Sequence, residues 1–273
     1  LHFADTDENY DYIALDKNKV HIMQNIIFSK RNCLLNKFTI EEYAALSGRL
    51  ELIKLEFGEV LYEVGEEAPY IYFPIDSMVS LLHPMKQGNS VEIAVIGCDG
   101  AIGIARNNQA TLNSAIVSQA GNAYRIRKNY FMEEIERNER LFDLFVKHTQ
   151  VLLTQIAQVT ICHSFHTIDQ QLCRWVLMNA HRIQNKEMPI SDHLIAYLLG
   201  APAEAVVHAI DNMSKSGLIQ YQSGVLTILN QKAIEKRGCE CHFVIKNETE
   251  RLLKTPPSLE KITSLEMHHP HES

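Results

Sequence analysis

No stretch of this chain approaches the roughly 18 consecutive apolar residues that a membrane-spanning helix needs. It also lacks any excess of cations: 26 Lys and Arg stand against 33 Asp and Glu, a formal charge of −7 over 273 residues. The first lack argues against a helical membrane protein. The second argues against a surface coated in positive charge for nucleic acid or anionic lipid. No secretory leader is expected from residues 1–20 either, because they hold five acids and two lysines rather than a basic start and an apolar core. A cytoplasmic protein with no membrane partner is therefore expected.

Cysteine is present but unframed. Cys33, Cys98, Cys162, Cys173, Cys239 and Cys241 are scattered, which in a cytoplasmic chain reads as buried thiols rather than disulfides. Cys239-x-Cys241-His242 is the one local cluster. A closed zinc site needs four ligands and no second pair is apparent, so no metal and no cofactor are expected. The terminal Met267-His268-His269-Pro270-His271 reads as a His-rich tail.

The length suffices for two domains with proper cores. Residues 1–20 read as a loosely ordered acidic leader and 21–56 as helical, with Phe38-Thr39-Ile40-Glu41-Glu42-Tyr43 as a capped helix start. From about 52 to 128 short β-rich runs alternate with Gly, Asn and Asp: Glu59–Tyr62, Tyr70–Phe73, Met78–Leu82, Val91–Val95, Ser114–Ser118 and Ala123–Ile126. That spacing predicts a jelly roll or barrel. A long helix follows. Phe142, Phe145, Thr149, Leu152, Ile156, Val159 and His163 step by 3 and 4 in alternation, the seam of a coiled coil, while Leu141, Leu144 and Val151 form a second stripe. Two apolar stripes suit one face for the home domain and one for a second copy, so a homodimer is expected.

Residues 189–230 carry the clearest pattern. Ser191 can cap a helix with Leu194, Ile195, Leu198 and Leu199 on one side, and Gly200 ends it. Pro202 suits the opening of a second helix, where Val206, Ala209, Ile210 and Met213 share one stripe. The opposite stripe holds Ala203, Glu204, Val207, His208, Asp211 and Lys215. Gly217 closes the helix, and Leu218–Tyr221 and Val225–Ile228 flank Gln222-Ser223-Gly224 as a hairpin. Helix, tight turn, helix and hairpin make a winged helix-turn-helix, a module that reads DNA. Its composition is unusual for that work: Asp192, Glu204 and Asp211 against Lys215 alone.

Barrel, long helix and winged module in this order resemble the Crp/Fnr superfamily of bacterial transcription regulators, over roughly residues 25–242. The resemblance rests on Gly58-Glu59-Val60-Leu61-Tyr62-Glu63-x-Gly65-Glu66, Tyr72-Phe73-Pro74, and Ser90-Val91-Glu92 leading to Gly97-x-x-Gly100-x-x-Gly103. Further on it rests on Arg174-Trp175-x-Leu177-Met178, Leu199-Gly200, Gly217-Leu218-Ile219, Thr227-Ile228-Leu229 and Cys239-Glu240-Cys241. It implies an α+β fold: a sensory jelly-roll barrel with flanking helices over 21–135, a dimerisation helix over 136–163 and a winged helix-turn-helix over 164–242. A C-terminal extension, 243–273, would follow.

The resemblance also sets positions to compare. Members that bind cyclic AMP hold the ribose with a Gly-Glu pair and the phosphate with an Arg. Here the matching residues are Gly103-Ile104 and Asn113-Ser114-Ala115, with Arg106 nearby as a loop residue. Neither a cyclic mononucleotide nor, with Cys33 alone near the N-terminus, an iron–sulfur cluster is expected. Recognition helices of the family present Arg, then Glu, then a second base; here these are Ala203, Glu204 and His208. The wing, Gln220 to Val225, is uncharged, and residues 164–240 hold seven acids and seven bases. Glu204, His208, Lys215 and Arg182 remain the candidate DNA contacts. Two functions stay open: a regulator with an unusually non-basic reading face, or a relative that has lost DNA binding and works through protein contacts. An enzyme is not expected, since the barrel offers only His83 where a metal-dependent cupin needs several histidines.

Overall fold

The computed structural model describes residues 31–85, 90–104, 110–182 and 187–254. The acidic leader, Arg106 and the His-rich tail lie outside those residues. Thr39 starts helix α1 (Ile40–Ser47) through a reciprocal capping box: its hydroxyl accepts from the Glu42 N–H at 3.2 Å, and the Glu42 carboxylate accepts from the Thr39 N–H at 2.8 Å. The helix ends at Ser47, and Glu51–Leu55 is strand β1, not a continuation of helix. Gly48 interrupts the helical run, and β1 gains a full antiparallel ladder with a later strand, Gly121–Arg127, placing Glu51 opposite Arg125 and Leu55 opposite Gly121. That partner lies far downstream in the chain, beyond the reach of local propensity.

The strands expected between 59 and 127 all form: β2 (Val60–Tyr62), β3 (Tyr70–Pro74), β4 (Met78–Pro84), β5 (Ser90–Ile96), β6 (Ser114–Gln119) and β7 (Gly121–Arg127). They make two antiparallel sheets, β1-β7-β3 and β2-β6-β4-β5. Side-chain alternation assigns the two faces of β3. Tyr72 points between the sheets with Leu55, Val79, Ile96 and Val117, while Ile71 and Phe73 point the other way. The outward set meets α1, helix α2 (Lys128–Arg137) and helix α3 (Glu139–Phe165) in an aromatic cluster. Phe131 touches Phe73 and Phe145 edge-on at centroid distances of 5.7 and 4.9 Å.

Asn138 separates α2 from α3 and caps the latter, its side chain accepting from the Leu141 N–H at 3.1 Å. Helix α3 has 27 residues, about 40 Å of rod. Two buried polar groups fix it to the barrel. The His148 ring nitrogen Nε2 lies 3.0 Å from the Ala101 carbonyl, and the Gln155 amide donates to the Val95 carbonyl at 3.2 Å.

Helix α4 (Ile168–Ala180) opens the winged module. It is followed by β8 (Glu187–Pro189), α5 (Asp192–Leu199), α6 (Ala203–Lys215), β9 (Ile219–Gln222), β10 (Val225–Ile228) and α7 (Gln231–Arg237). One core binds these elements, including Trp175, Val176, Ile195, Val206, Ile210 and Leu226. Leu82 of the barrel is part of that same core, so the module packs directly on β4 and β5. Helix α8 (Cys241–Leu253) then returns along α3, with Leu252 in the aromatic cluster. No single helix among the described residues is long and apolar enough to cross a membrane.

Candidate nucleic-acid interface and its supports

Helix α5 begins at Ser191, whose hydroxyl accepts from the Leu194 N–H at 3.2 Å. Tyr221 of the wing reinforces that start: its hydroxyl accepts from the Asp192 N–H at 2.8 Å and donates to the Ile190 carbonyl at 3.3 Å. Gly200 turns the chain with φ +60°, the left-handed region that suits glycine. Pro202 stands at the N-cap, and α6 leaves α5 at a bend of 115°, within the roughly 90–120° of helix-turn-helix pairs. Ser223 and Gly224, with φ of 51° and 74°, make the wing's two-residue turn. The third strand, β8, pairs with β10 and was not foreseen from the sequence. Three residues ending at Pro189 carry too little alternation to read as a strand.

Val206, Ala209, Ile210 and Met213 of α6 are buried, and Glu204, Val207, His208, Asp211 and Lys215 are exposed, with Ala203 at half exposure. Among the described residues none of Glu204, Asp211 and Lys215 makes an ion pair. The outer face thus presents two carboxylates, one ammonium, an imidazole and an apolar side chain to an approaching partner.

Arg182 does not join this face, which corrects its assignment as a phosphate contact. It is 5% exposed, and its guanidinium meets Asp99 of the barrel through Nε–Oδ1 at 2.9 Å and Nη2–Oδ2 at 2.8 Å. Its remaining Nη1 donates to the Met178 carbonyl at 2.7 Å. Buried, and with all three of its nitrogens engaged inside the chain, this guanidinium is not presented to a phosphate. A second ionisable group lies in the same seam. Glu92 of β5 is buried, accepts from the Ser80 hydroxyl, and stands near Arg174 and Arg182.

The barrel holds a cavity of about 290 Å³ facing α3, lined by Tyr62, Leu81, Ile96, Ile102, Ile104, Leu112, Asn113 and Leu152 among others. No charged side chain among the described residues lines it. Asn113, the position compared above with the phosphate-pairing Arg of cyclic-AMP binders, lies 3.1 Å from the His83 ring through its carboxamide oxygen. Gly103 has φ +88°, and a Cβ there would sit 2.3 Å from the Tyr70 carbonyl oxygen, so this wall admits only glycine.

The expected seam of α3 divides. Phe145 and Val159 are buried in the chain's own interior, and His163 is partly buried. Leu152 and Ile156 are half-buried against the barrel core. Phe142 and Thr149 are exposed, and between them lie Val146 at 40% and, one turn further, Leu153 at 65% exposure. The face open to a second copy is therefore Phe142, Val146, Thr149, Leu153 and the outer edge of Ile156, about one residue round the helix from the seam read in the sequence. Period alone cannot say which of two adjacent stripes turns inward.

At the far end of α3 the fold assembles a cluster the sequence did not disclose. Cys162 and His166 come together with Cys239 and Cys241, while His242, the apparent partner in sequence, turns away to stack on His181 at 5.4 Å. The available signal was the spacing Cys162-x-x-x-His166 at the end of the long helix.

No protein-family model and no curated protein matches the sequence. Solved structures do match in shape. FixK2 from Bradyrhizobium japonicum superposes with a TM-score of 0.62 at 13% identity, over 70% of this chain and 98% of FixK2. A candidate Crp/Fnr-family transcriptional regulator from Eubacterium rectale gives 0.58 at 13% identity, over 74% and 96%. A CRP-family transcriptional regulator from Thermus thermophilus gives 0.53 at 16% identity, over 68% and 95%. The chain has the Crp/Fnr-like fold.

Proposed function

We propose that this Crp/Fnr-like chain is a dimeric transcription regulator with a degenerate effector cavity and an unusually non-basic DNA-reading face. The observation that supports it most is α6. It is held at 115° to α5 by a fully packed inner stripe, while Glu204, Val207, His208, Asp211 and Lys215 stand clear of the chain's own core. A helix so mounted suits the major groove. Glu204 would accept from a cytosine amino group, and His208 and Lys215 would supply the remaining polar contacts. Dimerisation would use the exposed stripe of α3, where burying Phe142 or Leu153 contributes roughly 1.5–3 kcal/mol each.

The cavity, uncharged among the described residues, fits an apolar or uncharged effector better than a cyclic nucleotide, whose buried phosphodiester would find no cationic partner among them. A second reading, a relative that acts through protein contacts without DNA, is favoured by the commitment of Arg182 to Asp99 and by Val207 at the centre of the outer face. Selection of binding sites from random duplexes separates the two. Enrichment of a two-fold symmetric sequence supports the regulator, and a folded dimer that enriches nothing supports the protein-contact reading.

A further inference from the structure

The DNA-reading proposal leaves unused the sulfur-rich cluster where α3 ends and α8 begins. Cys162 lies in the last turn of α3 and His166 is the residue that caps its C-terminus, while Cys239 and Cys241 flank the start of α8. Three Sγ atoms and one ring nitrogen lie within 4.8 Å of one another. Cys162 Sγ is 3.6 Å from Cys239 Sγ, and Cys241 Sγ is 3.6 Å from His166 Nδ1. Tetrahedral zinc, with Zn–S of about 2.3 Å and Zn–N of about 2.0–2.1 Å, sets ligand separations of about 3.8 Å for S–S and about 3.5 Å for S–N. Both pairs stand near those separations. A disulfide would need about 2.05 Å.

The surroundings also suit a cation. The three cysteines are buried and cluster with one another rather than with the apolar core. His166 directs Nδ1 to Cys241, and its Nε2 lies 3.5 Å from a Glu240 carboxylate oxygen. A carboxylate on the far nitrogen is the usual device for orienting a metal-bound imidazole.

We propose that Cys162, His166, Cys239 and Cys241 bind one Zn²⁺ as a tetrahedral structural site. Three thiolates and an imidazole are a donor set that selects zinc among the common divalent ions, and four protein ligands leave no position for substrate. The four ligands bracket the winged module, two just before α4 and two just after α7. The ion therefore ties both ends of that module to the base of the long helix.

The test uses the full chain, expressed with zinc and purified under a phosphine reductant without chelator. Elemental analysis should find one zinc per chain. Replacement by Co²⁺ should give the visible d–d bands of a tetrahedral site and a near-ultraviolet thiolate charge-transfer band. Cobalt held by the terminal histidines gives no such charge transfer. Cys162→Ser and Cys239→Ser should abolish the band, His166→Gln should lower affinity at least about tenfold, and His242→Ala should leave one zinc per chain. Should the serine variants not fold, the cobalt spectrum of the unaltered chain decides alone. A reduced, folded protein that takes up neither metal overturns the proposal. So does a Cys162–Cys239 disulfide formed in the presence of zinc, iron in place of zinc, or loss of the metal in His242→Ala.

Discussion

Asp99 of the barrel and Arg182 of the winged module form a buried two-pronged ion pair, at 2.9 and 2.8 Å, that joins the two halves of the molecule. Burial pushes the Asp99 carboxyl up, but the Arg182 charge and hydrogen bond, with the Gly97 N–H, outweigh it and hold the carboxyl below its usual value. Removing one partner strands the other charge in the interior. Arg182→Ala should therefore cost about 3–5 kcal/mol, and a paired Asp99→Asn, Arg182→Met change should recover most of that. Urea unfolding of the single and paired variants measures both.

Glu92 gives the same seam a dependence on pH. Burial pushes its carboxyl up to about 7, against the opposing pull of the Ser80 hydroxyl and the Arg174 and Arg182 charges. The unfolded chain releases that proton near pH 4.3, so between about 4.3 and 7 the folded state holds more protons. Stability from this group is full below about pH 4.3, falls as pH rises to about 7, and is flat above, a span of up to about 4 kcal/mol. Asp99, with its lowered carboxyl, acts in the opposite sense, and only in the acid range below about pH 4. Glu92→Gln should stabilise at about pH 8 and flatten the profile, read by urea midpoints from about pH 5 to 8.

The exposed stripe of α3 predicts two different variants. Leu153→Asp should leave the fold intact and yield monomers in light scattering, because Leu153 is 65% exposed. Phe145→Ala should instead destabilise the chain by about 3–5 kcal/mol, since Phe145 packs against Phe38 and Phe131 inside. A wild type that is already monomeric at micromolar concentration contradicts dimerisation through this face.

The barrel should ignore cyclic AMP and cyclic GMP in calorimetry. Ile104 and Asn113 stand where an acid and a guanidinium would be needed, and no described side chain replaces them. Micromolar binding of either nucleotide would refute the degenerate-cavity reading.

Much of this was legible in the sequence where the physics is local. The Thr39–Glu42 capping box, the Ser191 cap, the Gly200 turn and the alternation of β3 to β7 all depend on residues within a few positions of one another. What escaped depends on distant partners. β1 is a strand because β7 pairs with it, Arg182 is interior because Asp99 awaits it, and Cys162 meets Cys239 only after the whole winged module between them has folded. Within α3 the 3,4 repeat showed that an apolar face exists, but only the packed barrel shows which side it covers.

The proposed reading face yields the most direct test: fluorescence anisotropy of random and of selected duplexes, titrated over salt at neutral pH. Few phosphates can be neutralised by a face with Glu204, Asp211 and one lysine. Affinity for random duplex should therefore be weaker than about 10⁻⁴ M near physiological salt, with a shallow salt slope. Ala203→Arg with Val225→Arg should raise affinity and steepen the slope. Selected two-fold symmetric sites should bind more tightly than random duplex while keeping the shallow slope. Tight, steeply salt-dependent binding to random duplex by the unaltered protein at neutral pH would contradict the non-basic reading face, and no preference for any duplex would contradict the regulator itself.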